Sequence, residues 1–224
     1  MKITWIGQAG LVIKTNELSI IVDPYLSNSC FELSPLNNRR FDADKSYLKE
    51  KYDVIIFTHD HLDHTDPESY IPILENNPQI TVLAPKSSWD RVRGWGSGPN
   101  YVMFNKGTTW TEKDTIFKAV KAEHSDSFAI GVVVCDGNNK IYITGDTLYN
   151  DEIFKDLPDD LDYVFLPVNG KGNNMNMTDA KKFVEKTGTK NAVPLHIGLF
   201  DNLKPDDFDS DVKKIFELYK ETII

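Results

Sequence analysis

The sequence predicts an α+β sandwich in which two β-sheets face each other and helices pack outside them. Short apolar runs bounded by turn residues dominate the first third of the chain. A second group of such runs occupies residues 115–168, and helix-like stretches lie between and after the two groups. At 224 residues and 40% hydrophobic content, the chain is long enough for one sizeable core, so residues 1–224 are read as a single domain.

In chain order, "KITWIG", "GLVIKT" and "LSIIVDP" read as three strands of a meander. Residues 27–47 are polar and read as an irregular excursion. "YDVIIFT" (52–58) reads as a buried strand. A helix follows over 66–77, with Asp66 as its cap, Pro67 at its first position and Pro72 interrupting it. Next come the strand "ITVLAP" (80–85), a helix near 86–93 and the glycine-rich "GWGSGPN" (94–100). "TIFKAVKAEH" (115–124), "FAIGVVVCD" (128–136), "KIYITGD" (140–146) and "DYVFLPV" (162–168) make up the second group of strands. A helix capped by Thr178 in "MTDAKKFVEKTG", the strand "NAVPLH" (191–196) and a final helix within 205–220 complete the reading.

Composition removes several classes. A net charge of −9 without a basic run disfavours nucleic acid as a partner. No stretch approaches the roughly 20 apolar residues of a membrane span, and "MKITWIGQAG" lacks the apolar run of a signal peptide. The expectation is a cytoplasmic protein with no membrane partner; oligomeric state is left open, a homo-oligomer included. Cys30 and Cys135 lie far apart in no metal-type spacing, which argues against a disulfide framework and a zinc finger. Cys135, inside "GVVVCDG", reads as core.

Chemistry concentrates in "THDHLDHTD" (58–66), which holds three of the five histidines, His59, His61 and His64, with Asp60, Asp63 and Asp66 among them. In an extended segment side chains two apart share a side, so His59 and His61 converge on one ion, and Asp63 and His64 reach a second after a turn. Imidazole and carboxylate suit Zn, Mn or Fe. The loop alone supplies too few ligands. The other polar residues at strand ends are His124 in "KAEHSD", Asp146 in "YITGDT" and His196 in "VPLHIG". A lone histidine at a strand end is usually a hydrogen-bonded surface residue; the tight pattern HxHxDH directly after a buried strand reads as a metal site.

The "HDHLDH" pattern, followed in order by His124, the "GDT" aspartate and His196, resembles the signature of the metallo-β-lactamase-fold hydrolases over essentially the whole chain. The early "VDP" places Asp23 where that family has an aspartate supporting the metal loop, and Asp60 is taken as a second supporting residue. "WIGQAGLVIKT", "FTHDHLDHTD" and "AVPLHIG" most resemble the branch containing L-ascorbate-6-phosphate lactonase, although this chain is shorter than that enzyme. The resemblance implies a four-layer αβ/βα sandwich of two mixed sheets. It also implies two divalent ions, one held by His59, His61 and His124, the other by Asp63, His64 and His196, with Asp146 bridging.

Two such ions roughly 3.5–4 Å apart share a water, lower its pKa toward about 7 and present the bridging hydroxide to an electrophile. Asp63 or Asp146 manages the leaving-group proton. The two ions, less the charges of Asp63, Asp146 and the hydroxide, leave the cluster at about +1, which favours a small anionic substrate. Lys171, Arg91 and Arg93 are the candidates for further anion contacts. The expected activity is therefore hydrolysis of a small anionic ester such as a lactone or a sugar-acid phosphate lactone. The alternatives are a metal-dependent phosphodiesterase or nuclease, and a non-catalytic metal-binding module. Diiron redox members of the superfamily usually replace a loop histidine by a carboxylate, and His61 occupies that place here.

Overall fold

The computed structural model describes residues 1–224. β1 (Lys2–Gly7), β2 (Gly10–Lys14) and β3 (Ser19–Val22) form the antiparallel meander. β4 (Val54–Ile56), β5 (Thr81–Ala84) and β6 (Asn100–Met103) extend it in parallel. β13 (Glu221–Ile223) closes the other edge against β1, giving a seven-stranded mixed sheet. The second sheet has six strands. β7 (Thr109–Glu112), β8 (Thr115–Lys121), β9 (Ile130–Cys135) and β10 (Lys140–Ile143) are antiparallel neighbours, and β11 (Tyr163–Pro167) and β12 (Asn191–Leu195) continue in parallel.

Period-2 alternation sorts these strands into three buried layers. Trp5, Leu11, Ile13, Ile20, Val22 and Ile56 of the first sheet meet Phe117, Val132, Ile143, Phe165 and Val193 of the second in the central core. The intervening residues, among them Val12, Ile21, Ile55 and Val82, face outward and are covered by α2 (Pro67–Asn76) and α3 (Lys86–Val92) through Tyr70, Ile73, Leu74 and Val92. On the far side α4 (Met177–Thr187) covers Val133, Tyr142 and Val164 through Ala180, Phe183 and Val184. The result is helix, sheet, sheet, helix, as expected.

Four local expectations are corrected. α4 is capped by Asn176, whose side chain accepts from Asp179 N at 3.0 Å, and Thr178 lies within the first turn. The excursion over 27–47 contains a short helix, α1 (Ser29–Leu33). β6 and β7 were not anticipated; both are short strands at sheet edges with half of their residues exposed or nearly so. The final helix within 205–220 does not form beyond one tight turn at Pro205–Asp207. Instead the segment runs extended between the two sheets. Ala192 N donates to Val212 O at 2.9 Å, Lys214 N to Ala192 O at 2.8 Å, and Tyr219 N to Trp5 O at 2.9 Å. The exposed backbone of β12 and β1 thereby gains partners, while Phe208 and Phe216 enter two different cores, which one helical face does not permit.

Parallel β4, β10 and β12 all end on one side of the sandwich, where loops leave the sheets, and every histidine lies there. No helix is long and apolar enough to cross a membrane.

Candidate metal centre

β4 leads into Thr58 and the histidine loop, which stays local because His64 N and Thr65 N both bond His61 O, at 3.1 and 2.7 Å. Asp66 then caps α2 by accepting from Glu68 N. The loop is thus held between a buried strand and a capped helix. β8 delivers His124, β10 delivers Asp146 and β12 delivers His196 to the same point.

Donor atoms fall into three overlapping sets, each within 4.8 Å: His59, His61 and His124; His59, His64 and Asp146; and Asp63, His64 and His196. Asp146 reaches both ends of the cluster. Its Oδ2 lies 3.0 Å from His196 Nε2 and 3.9 Å from His59 Nε2, and its Oδ1 lies 3.2 Å from His64 Nε2. His196 Nε2 is also 3.2 Å from Asp63 Oδ2. His124 Nε2 and His61 Nδ1 approach to 3.2 Å.

Two buried atoms test whether a cation fits. His59 Nε2 is buried and has no hydrogen-bond partner, and Asp146 Oδ1, also buried, has only His64 Nε2 beside it, at a poor angle. A buried lone pair without a donor is costly, and a metal ion satisfies it directly. The donors are nitrogen and oxygen only, so they suit Zn, Mn or Fe. Cys30 stays outside the set; burial and Asp63 push its thiol up to about 12.

Protonation follows burial and charge. Burial holds His59 and His124 below the ordinary histidine range. Burial acts the same way on His64 and His196, but the neighbouring carboxylates win. Asp146, Asp63 and Asp23 raise His64 well above its usual value, and Asp146 and Asp63 push His196 up to about 9. Burial opposes ionisation of Asp63 and Asp146, yet His64 and His196 hold both below the usual carboxylate range. In the metal-free chain, protons on His64 and His196 therefore offset the carboxylates.

Supporting contacts surround the donors. Asp23 Oδ1 accepts from Thr58 N at 2.8 Å, at the start of the histidine loop. The sequence reading missed four more. Gln8 Nε2 donates to Asp63 Oδ2 at 2.9 Å, and Asn174 Nδ2 donates to Asp146 Oδ2 at 2.8 Å. The Asn169 amide lies 2.9 Å from His196 Nδ1, and Asn173 O lies 3.3 Å from His124 Nδ1. The available signals were a polar residue inside the glycine turn "IGQAG" and the asparagine-rich "NGKGNNMNM" directly after a strand.

Backbone strain collects at the same place. Six non-glycine residues have positive φ, and Gln8, Asp23, Asn173 and His196 are four of them. Each such conformation costs about 1–3 kcal/mol and persists only where its surroundings enforce it.

Three residues are placed differently from expectation. Asp60 makes no hydrogen bond to a histidine, because the Arg91 guanidinium takes its carboxylate, with Nε 2.6 Å from Oδ1. Arg91 is engaged by the same pair. Arg93 lies over the Trp89 ring at 4.3 Å and near Asp90. Lys171 is exposed on the asparagine loop, and its Nζ makes no hydrogen bond or ion pair.

Residues 19–197 match the family described as the beta-lactamase superfamily domain. A UPF0173 metal-dependent hydrolase of Flavobacterium johnsoniae is 32% identical, the alignment covering 100% of this chain and 96% of that protein. The crystal structure of a metal-dependent hydrolase from Parabacteroides distasonis superposes with a TM-score of 0.72 at 27% identity, over 96% of this chain and 92% of that one. A metallo hydrolase from Ignicoccus hospitalis has a TM-score of 0.78 at 18% identity, over 99% and 97% of the two chains, which shows the shared fold. The family match and the Flavobacterium relative together place the chain in the metallo-β-lactamase superfamily, in its UPF0173 family of metal-dependent hydrolases.

Proposed function

We propose that the chain is a dinuclear hydrolase of small anionic esters, with a lactone or sugar-acid phosphate lactone as the favoured class. The observation that carries this reading is the convergence of seven side chains into overlapping donor sets, with His59 Nε2 buried and unpartnered. His59, His61 and His124 would hold one divalent ion, Asp63, His64 and His196 the other, and Asp146 would touch both. When bound, such ions polarise a substrate oxygen and lower the pKa of water toward about 7.

The chain's own residues account for orientation and charge. Asp23 accepts at His64 Nδ1 at 2.8 Å, which leaves Nε2 turned toward the cluster, and Asn169 sits at the corresponding nitrogen of His196. The leaving-group proton falls to Asp63 or Asp146, the carboxylates inside the cluster. Asp23 adds a third buried negative charge, so the loaded cluster is closer to neutral than the sequence arithmetic suggested. The preference for an anion therefore rests on Lys171. Its ammonium is unpaired on the loop whose Asn169, Asn173 and Asn174 touch His196, His124 and Asp146.

The test is elemental analysis of protein from metal-supplemented cells, paired with a turnover screen over anionic lactones, neutral lactones, phosphodiesters and thioesters. Two ions per chain and turnover of an anionic lactone are expected. Full activity with a single tightly bound ion, or turnover confined to neutral esters or phosphodiesters, overturns the reading.

A further inference from the structure

We infer that Gln8 is a positioning residue for the buried half of the centre, gripping Asp63 and His196 together so that both present donors to one cation. This rests on the two-ion reading proposed above.

Reach is the first ground. Gln8 Nε2 lies 2.9 Å from Asp63 Oδ2 and 3.1 and 3.2 Å from the two ring nitrogens of His196. The Gln8 main-chain carbonyl also accepts from His196 N at 3.1 Å. One residue of the β1–β2 turn thus holds His196 through its main-chain carbonyl, sets its amide beside the His196 ring, and donates to Asp63. Nothing else from the first hairpin donates to either residue.

The second ground is that this placement works against stability. Gln8 has φ of +52°, a left-handed conformation that a tight turn normally fills with glycine or asparagine. The residue is 2% exposed, and Oε1 is buried without a partner. A strained backbone combined with an unsatisfied buried acceptor points to a role other than holding the turn.

The amide also has the right charge for the task. Its N–H occupies one oxygen of Asp63 without neutralising the carboxylate, so the negative charge remains available to a cation. A lysine at that position would compete with the ion, and a glutamate would repel Asp63.

Stepwise Zn²⁺ binding, measured by competition with a chromogenic chelator, tests the assignment in Gln8→Met and Gln8→Asn alongside thermal melting. Methionine keeps the side-chain length and removes the donor. Asparagine suits the left-handed turn and falls short of Asp63. In both variants one of the two Zn²⁺ ions should bind roughly 10–100-fold more weakly, with the other unchanged. The melting temperature of Gln8→Asn should hold or rise, an outcome that a merely structural Gln8 does not produce. If wild type binds two ions and both variants retain both affinities within about twofold, the Gln8 assignment fails alone. Equal weakening of both ions together with a lower melting temperature also overturns it. Wild type binding a single Zn²⁺ sinks the two-ion reading first and this assignment with it.

Discussion

Asp23 and His64 form a fully buried pair, with Asp23 Oδ2 2.8 Å from His64 Nδ1 and 1% and 0% of the two side chains exposed. Thr58 Oγ1 donates to the same oxygen at 2.6 Å. The aspartate thus fixes both the ring and the start of the histidine loop. Asp23→Asn should keep the shape, lose the charge, and weaken the second ion roughly 10–100-fold. Asp23→Ala should in addition cost about 3–5 kcal/mol of folding stability in the metal-free protein, since it strands buried partners. Chelator competition and denaturation of metal-stripped protein measure the two effects; wild-type values in both would remove Asp23 from the support of the site.

His61 is half-buried and makes few contacts outside the cluster, so its removal leaves the core intact. His61→Ala should abolish turnover and one ion's binding while circular dichroism stays unchanged. Near wild-type activity would take His61 out of the donor set.

The pH dependence of loading follows from His196. Burial lowers its pKa, but Asp146 and Asp63 outweigh burial and raise it from 6.5 to about 9. A raised folded pKa means that the proton's stabilising contribution to the metal-free fold is complete below pH 6.5 and is lost as pH climbs through about 9. A divalent cation displaces that proton, so affinity should rise with pH across the same window, with proton release on loading near about pH 7.5. Titration calorimetry in buffers of different ionisation enthalpy reads the released proton; buffer-independent heats would contradict the scheme.

Lys171→Ala should raise KM for an anionic lactone roughly 10–100-fold and leave a neutral analogue nearly unaffected, because a hydrogen bond to a charged group contributes about 1.5–3 kcal/mol. Equal effects on both substrates would refute a direct anion contact.

Gly145 carries Asp146 into the cluster with φ of +60°, and a Cβ there would meet Thr58 Cβ at 2.7 Å and Ile130 O at 2.8 Å. Gly145→Ala should therefore destabilise the fold by about 1–3 kcal/mol and weaken metal binding, since Thr58 and Asp146 cannot both keep their places. An unchanged melting temperature and metal content would show that the backbone relaxes freely.

The candidate donor set was legible because histidine and aspartate at strand ends are chemically conspicuous and the loop spacing is short-range. Gln8, Asn169 and Asn174 were not, since an amide in a turn carries no period and no spacing, and its role exists only once distant strands meet. Asp60 was misread for a related reason. It sits between two histidines in sequence, yet Arg91 on α3 reaches its carboxylate. In the C-terminal segment, Val212, Phe216 and Tyr219 follow a helical spacing, but free strand edges at β12 and β1 offered the backbone better partners.

His64 and His196 stand 132 residues apart in the chain, and their Nε2 atoms are 3.2 Å apart in the fold. Closing a contact of that sequence separation carries a large loop-closure entropy, which the pairing of the intervening strands offsets. A nascent chain that has emerged only as far as the histidine loop holds an incomplete chelate, and the buried half of the centre does not exist until β12 docks. Metal capture at that half would therefore follow the docking of β12. A seated ion would clasp the end of β4 to the end of β12, two strands that belong to different sheets.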